Sequence, residues 1–256
     1  MRGRLRGGCL RCQRCSMKLA VCMGYWEGDK AMAHRVAILL ADLLPAKSHI
    51  AQFTFIYRHD ASAPDTEVVN YLARKFTSVN NKRCPIVGFG HPAGCNAIAF
   101  SLFRLMRTDP AYSNCEAFLI MEADTILTRP NWDKELWEEW EKTKAEGKLA
   151  CGFVYPGCFG NPNGKHLNAA GLYSSKIARQ IPAIGKGKMD IGHDWANGPV
   201  TYPVSRDSDL FWMEYRKPTI TREELFAKRK NGKAPLFWHG VQDESAIRIV
   251  RQEYGL

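Results

Sequence analysis

The sequence predicts an α/β fold, a mostly parallel β-sheet flanked by helices. Short apolar or β-branched runs alternate with stretches of helical periodicity through the first 125 residues, the pattern that builds such a sheet. The 256 residues are 45% hydrophobic, 24% charged and 11% aromatic, which fits a packed core and excludes disordered or collagen-like chains. No apolar run approaches the roughly 18 residues that span a bilayer; Val36 to Ala41 is typical, so a soluble chain without a membrane span is expected. No internal repeat, low-complexity tract or linker divides the chain, so a single large domain is expected.

Leu19 to Met23 is an apolar run bounded by Gly24 and Gly28, as a buried parallel strand would be. A helix should follow, capped by Asp29, with Val36, Leu39, Leu40 and Leu43 on one face and Pro45 as its stop. Ile50 to Tyr57 reads as the second strand, ending in Arg58-His59-Asp60, and Pro64-Asp65 open a helix that runs to about Lys75. Phe76 to Val79 reads as a short strand, residues 84–94 as a loop, and Cys95 to Met106 as a buried helix. Ala117 to Met121 is the next strand. Asn131 to Gly147 reads as a surface helix with Trp132, Leu136, Trp137 and Trp140 inward and Glu138, Glu139 and Lys142 in water. An apolar segment (149–155), a Gly/Pro/Asn loop to Gly164 and a run from Ala169 to Tyr173 follow.

The net charge is +10, and half of it sits in residues 1–16, which hold Arg2, Arg4, Arg6, Arg11 and Arg14 and no acid. The body is only mildly basic, which permits a nucleic-acid partner without requiring one. Nine scattered cysteines in a chain of this size favour a reducing, cytoplasmic compartment. Cys9, Cys12 and Cys15 have a metal-site spacing but no fourth local ligand, so residues 1–16 read as a disordered basic arm or an extension upstream of Met17. Arginines followed by only Leu19 to Met23 do not make a secretory signal.

The sharpest motif is Met121-Glu122-Ala123-Asp124-Thr125, two carboxylates one residue apart after a buried strand. Ligands of parallel sheets bind at the carboxyl ends of strands, and acids placed there can hold Mg2+ or Mn2+ against phosphate oxygens. A capped turn is the alternative. There is neither a G-x-G-x-x-G at the first turn nor a G-x-x-x-x-G-K-[ST], which counts against a dinucleotide oxidoreductase and a P-loop NTPase.

An α/β half ending in acid-x-Asp, a mixed second half and a late histidine in Leu236-Phe237-Trp238-His239-Gly240-Val241-Gln242-Asp243 resemble the GT-A glycosyltransferases. The resemblance covers the layout of residues 17 to 250 and rests on few identities. It implies a GT-A fold, with a nucleotide-sugar half (about 17–125) joined to an acceptor half (about 126–256), and Mn2+ or Mg2+ held against the diphosphate of a UDP-sugar. Asp124 matches the metal-binding acid, Glu122 the first acid that often contacts ribose or sugar, and His239 the late histidine that completes the metal shell. Gln242 stands where many relatives carry Lys. The donor loop falls on Gly24 to Gly28, where Tyr25 or Trp26 could stack on a base. Arg58 and Asp60 end the second strand, where a base or ribose could be bound, and Gly94 and Asn96 open a helix whose N–H groups suit sugar or phosphate.

An inverting transferase needs an acceptor-side base, and Asp194, in Met189-Asp190-Ile191-Gly192-His193-Asp194, is the candidate, with Asp190, Asp207 and Asp209 as competitors. A retaining enzyme needs none. Arg216, Lys217, Arg222, Lys228, Arg229, Lys230 and Lys233 form the densest basic region of the body. They suggest a polyanionic acceptor, double-stranded DNA with hydroxymethylated pyrimidines of the kind phage enzymes modify, in the host cytoplasm; such a base would be flipped out of the duplex. A solvated face is the plainer reading. A nucleotidyltransferase using the same acids, and a non-catalytic nucleic-acid-binding protein, are the rival functions.

Overall fold

The computed structural model describes residues 19–46, 48, 50–90, 93–158, 161–177, 205–229 and 231–256. Strands β1 (Leu19–Tyr25), β2 (Ile50–Tyr57), β3 (Ser78–Arg83) and β4 (Ala117–Glu122) alternate with helices α1 (Lys30–Asp42), α2 (Thr66–Leu72) and α3 (Ala93–Thr108). After β4 come β5 (Thr125–Leu127), α4 (Trp132–Ala145), β6 (Ala150–Cys158), β7 (Asn161–Ser174), β8 (Ser205–Asp207) and β9 (Phe211–Lys217). The chain ends with α5 (Arg222–Leu225), β10 (Phe237–Val241) and α6 (Ser245–Tyr254).

Seven strands form one sheet in the order β3-β2-β1-β4-β7-β6-β8. Its first four strands are parallel, β7 is antiparallel to both β4 and β6, and β8 lies parallel to β6. Side chains alternate along each strand, and the inner strands β1 and β4 are buried on both faces. Leu19, Val21 and Met23 face one apolar cluster, with Val36, Leu39 and Leu40 of α1; Ala20 and Cys22 face the other, with Phe100, Leu102 and Phe103 of α3. A second sheet, β5-β10-β9, joins β5 antiparallel and β9 parallel to β10. Trp132 and Trp140 of α4 are core residues, as the stripe predicted, and the Trp132 indole N–H donates to the Leu40 carbonyl.

Four local expectations differ. The third strand is Ser78 to Arg83 rather than Phe76 to Val79, because its polar sequence SVNNKR is an edge strand with one neighbour, where burial does not demand an apolar pattern. The expected Gly/Pro/Asn loop is mostly hairpin: β6 runs to Cys158 and β7 starts at Asn161, with Cys158 opposite Asn161. Glu139, expected in water, is buried and ion-paired with Arg206 of β8 and Lys142. Asp29 occupies the N-cap of α1 but makes no side-chain cap bond. No helix among the described residues is long and apolar enough to cross a membrane.

Candidate functional site

The backbone builds the site at the carboxyl edge of the parallel strands. Gly24 near the end of β1 pairs with Glu122 at the end of β4, so Glu122 leaves the sheet where ligands of such sheets bind. The chain turns at Ala123-Asp124 and enters β5, which pairs with β10 so that Thr125 lies opposite His239. That register sets the histidine beside the two acids. The Gly240 amide donates to the Asp124 carbonyl (3.2 Å), and Gly240 holds φ +102°, a conformation that L side chains rarely adopt.

His239 Nε2 lies 3.0 Å from Glu122 Oε2 and 3.1 Å from Asp124 Oδ1, while Nδ1 lies 2.6 Å from Asn168 Oδ1 of β7. Ligand atoms of Glu122, Asp124 and His239 all lie within 4.8 Å of one another, compact enough to share one ion. His239 is 7% exposed, and burial alone would disfavour its charge, but Asp124 and Glu122 raise its pKa well above the ordinary value. Burial likewise opposes ionisation of Asp124, and the adjoining imidazolium outweighs it and holds the carboxyl below its usual range.

The cluster opens onto a cavity of about 500 Å³ between the ends of β1 and β4 and the start of α3. Its described lining contains three acids, Asp29, Glu122 and Asp124, and no Lys or Arg. Asp29 was legible in the sequence only as a helix cap. Its carboxylate accepts from the Trp26 side chain and faces the cluster; burial, with Asp124 and Glu122 nearby, pushes its pKa up to about 6. Asn168, Cys95 and Tyr173 also escaped sequence reasoning; Asn168 sits in β7, next to the expected loop, and Cys95 and Tyr173 line the cavity.

The expected donor residues gather at the same rim. Trp26 is 46% exposed, its ring lies over Gly28, and the Arg58 guanidinium sits 5.3 Å from the ring centroid. Arg58 is clamped to Asp60 by two bonds of 2.5 and 2.7 Å, so the Asp60 carboxylate is already engaged. Tyr25 is different: its hydroxyl donates to the Ser62 carbonyl and its ring is buried against Tyr57, so Trp26 is the aromatic presented at the rim. Gly94 packs against Arg58, where a Cβ would come within 3.3 Å of Nη1. Asn96 lies in the first turn of α3, with its side chain outside the described residues.

On the acceptor side, Asp190 and Asp194 lie outside the described residues, as do the Cys9, Cys12 and Cys15 arm and Lys230. Asp207 ends β8 and accepts from the Val154 amide, and neither it nor Asp209 lines the cavity. The basic region is not a row of unengaged cations. Lys217 pairs with Glu214 and Glu224, Arg222 with Glu253, and Arg229 lies 3.7 Å from the Trp212 ring centroid and 5.2 Å from that of Trp238. Lys228 and Lys233 are exposed, and the Arg216 side chain is outside the described residues.

Neither a protein-family model nor a curated protein sequence matches this chain. In structure it is similar to the apo form of WbbM, a bifunctional glycosyltransferase, with a TM-score of 0.55 and 9% identity over 91% of this chain and 49% of that one. The chain thus spans about half the length of that protein. Mouse xyloside xylosyltransferase 1, in its apo form, aligns over 89% of this chain and 99% of its own with a TM-score of 0.49 and 12% identity. At 9% identity the likeness to WbbM is one of fold, and the mostly parallel central sheet agrees with the GT-A fold that the resemblance implies.

Proposed function

We propose that the protein is a glycosyltransferase that moves a sugar from a nucleotide-sugar, a UDP-sugar in the first instance, to a hydroxyl acceptor, with a divalent ion held by Glu122, Asp124 and His239. The observation that carries this is the cavity's charge: its described lining has three acids and no Lys or Arg, so a diphosphate entering it needs a cation to come with it. The fit of the donor set is good, since two carboxylates and one imidazole nitrogen suit Mn2+ and accommodate Mg2+. When bound, such an ion neutralises charge that develops on the departing diphosphate. The likeness in fold to WbbM, a glycosyltransferase, supports the same reading.

The chain's own residues bind and orient. Trp26, backed by Arg58 and tied to Asp29, presents a flat apolar face at the rim on which a nucleobase can stack. Asp29, the remaining acid in the cavity's described lining, is placed to accept from ribose or sugar hydroxyls. Asp194 is retained as the proposed acceptor-side base if the reaction inverts configuration. The acceptor is proposed as a hydroxyl compound. The DNA acceptor has weaker support, because Lys217, Arg222 and Arg229 are engaged within the protein.

The test is a panel of nucleotide-sugars with Mn2+, read by thermal shift and by UDP release. Stabilisation that requires both metal and one UDP-sugar, with UDP as product, is expected. Pyrophosphate release from an NTP would favour the nucleotidyltransferase reading, and no response to any nucleotide would overturn the proposal. Radiolabelled sugar transfer to hydroxymethyl-pyrimidine DNA beside unmodified DNA decides the acceptor separately.

A further inference from the structure

Asn168 is 5% exposed, and its amide oxygen lies near two groups: His239 Nδ1 at 2.6 Å and the Ala170 backbone amide at 3.1 Å. The second contact fixes the orientation of the first. A backbone N–H can only donate, so the side-chain atom facing Ala170 is the oxygen, and the amide nitrogen points the other way, 2.8 Å from the weak acceptor Met213 Sδ. Exchanging the two ends of the amide would set an N–H against the Ala170 N–H and leave a buried donor unsatisfied. The oxygen can only accept, so His239 Nδ1 must carry its hydrogen. The neutral ring then has its lone pair on Nε2, the atom that faces Glu122 and Asp124.

Asn168 is itself held from the backbone. The buried Tyr173 hydroxyl donates to the Asn168 carbonyl at 2.9 Å, and β7 is flanked by β4 and β6 in the main sheet. Metal-binding histidines usually owe their tautomer and ring angle to an acceptor on the far nitrogen, and loss of that acceptor typically costs about 10–100-fold in metal affinity. From this geometry we infer that Asn168 is a positioning residue, which locks His239 in the Nδ1–H form and presents Nε2 to a divalent cation seated with Glu122 and Asp124. The inference rests on the metal-site reading under Proposed function and adds a residue to it.

The experiment uses the full chain, selectively labelled with 15N-histidine. Mn2+ affinity is read by EPR of the free ion, and the ring tautomer by 15N–1H correlation with Zn2+ as a diamagnetic stand-in. Wild type should bind Mn2+ and, with Zn2+, show the hydrogen of His239 on Nδ1. Asn168→Leu should bind Mn2+ about 10–100-fold more weakly, and Asn168→Asp, which keeps an acceptor oxygen, should restore binding to near wild type. If wild type binds neither ion, the metal-site reading itself falls, and the inference with it. If wild type binds but carries the hydrogen on Nε2, or folded Asn168→Leu binds as tightly as wild type, the positioning role alone is overturned. Should Asn168→Leu fail to fold, the wild-type tautomer and the Asn168→Asp affinity still decide.

Discussion

Glu122 and His239 are 117 positions apart in sequence, yet Oε2 and Nε2 lie 3.0 Å apart, because β5 and β10 pair in a register that sets His239 against the β4–β5 turn. Without an ion, the imidazolium shares the two carboxylates; with one, the same atoms form its donor set. A ligand that binds only the folded state at about 100 times its Kd adds about 2.7 kcal/mol. For a chain of this size that is a rise in Tm of about 5–10 °C with saturating Mn2+. Asp124→Asn should abolish the rise while leaving the metal-free protein folded by circular dichroism. A variant that still responds to Mn2+ as wild type does would make the motif a structural turn.

Asp29 makes metal-free stability depend on pH. Its carboxyl ionises at 3.8 in an ordinary setting and at about 6 here, so folding favours the neutral form. The stability that Asp29 contributes is therefore fully present below about pH 4, is lost as pH rises towards 6, and stays lost above it. A shift of about two units corresponds to about 3 kcal/mol, which partial exposure reduces to about 1–2 kcal/mol. Asp29→Asn, which keeps an oxygen for the Trp26 indole, should match wild type near pH 4 and exceed it by that amount at pH 7.5 in EDTA, measured by urea unfolding. Equal stabilities at both pH values would refute it.

Gly28 leaves room for the Trp26 ring. A Cβ there would stand 2.2 Å from the indole, so Gly28→Ala must push the ring aside. Both residues are exposed, so the fold should tolerate the change, with Tm within about 2 °C of wild type. If Trp26 stacks on the base, the dissociation constant for UDP should rise about 5–30-fold, for a loss of about 1–2 kcal/mol. Isothermal titration with UDP and Mn2+ measures it, and unchanged affinity would remove Trp26 from the donor site.

The sequence shows β1, β2, β4 and α1 because buried strands and amphipathic helices are periodic in apolar residues, and Glu122 and Asp124 because they follow such a strand. It places β3 too early, because the polar edge sequence after Val79 lacks an apolar pattern, and it does not show the β6–β7 hairpin, whose Gly, Pro and Asn residues read as turns. The site divides along the same line. Residues next to a recognisable strand end were legible, whereas Asn168 acts through a partner on another strand, and Asp29 carries a residue type that equally serves as a helix cap. Local charge density was the least informative signal, since sequence counts cations without showing the acids across from them, as at Lys217 and Arg222.

Arg229 decides whether the basic region reads phosphate. Its guanidinium lies 3.7 Å from the Trp212 ring centroid, and desolvation lowers its pKa, so the side chain is serving the protein's own packing. A cation over an aromatic face contributes about 0.5–2 kcal/mol. Arg229→Ala should therefore lower stability by about that much and Tm by about 2–6 °C, with no change in UDP affinity. A phosphate contact behaves differently, because each one lost reduces the slope of log K against log salt by about one unit. Fluorescence anisotropy with duplex DNA across a salt series, on wild type and Arg229→Ala, separates the two roles. The expected result is an unchanged slope beside a lowered Tm; a slope reduced by about one at unchanged Tm would return Arg229 to a DNA-binding face.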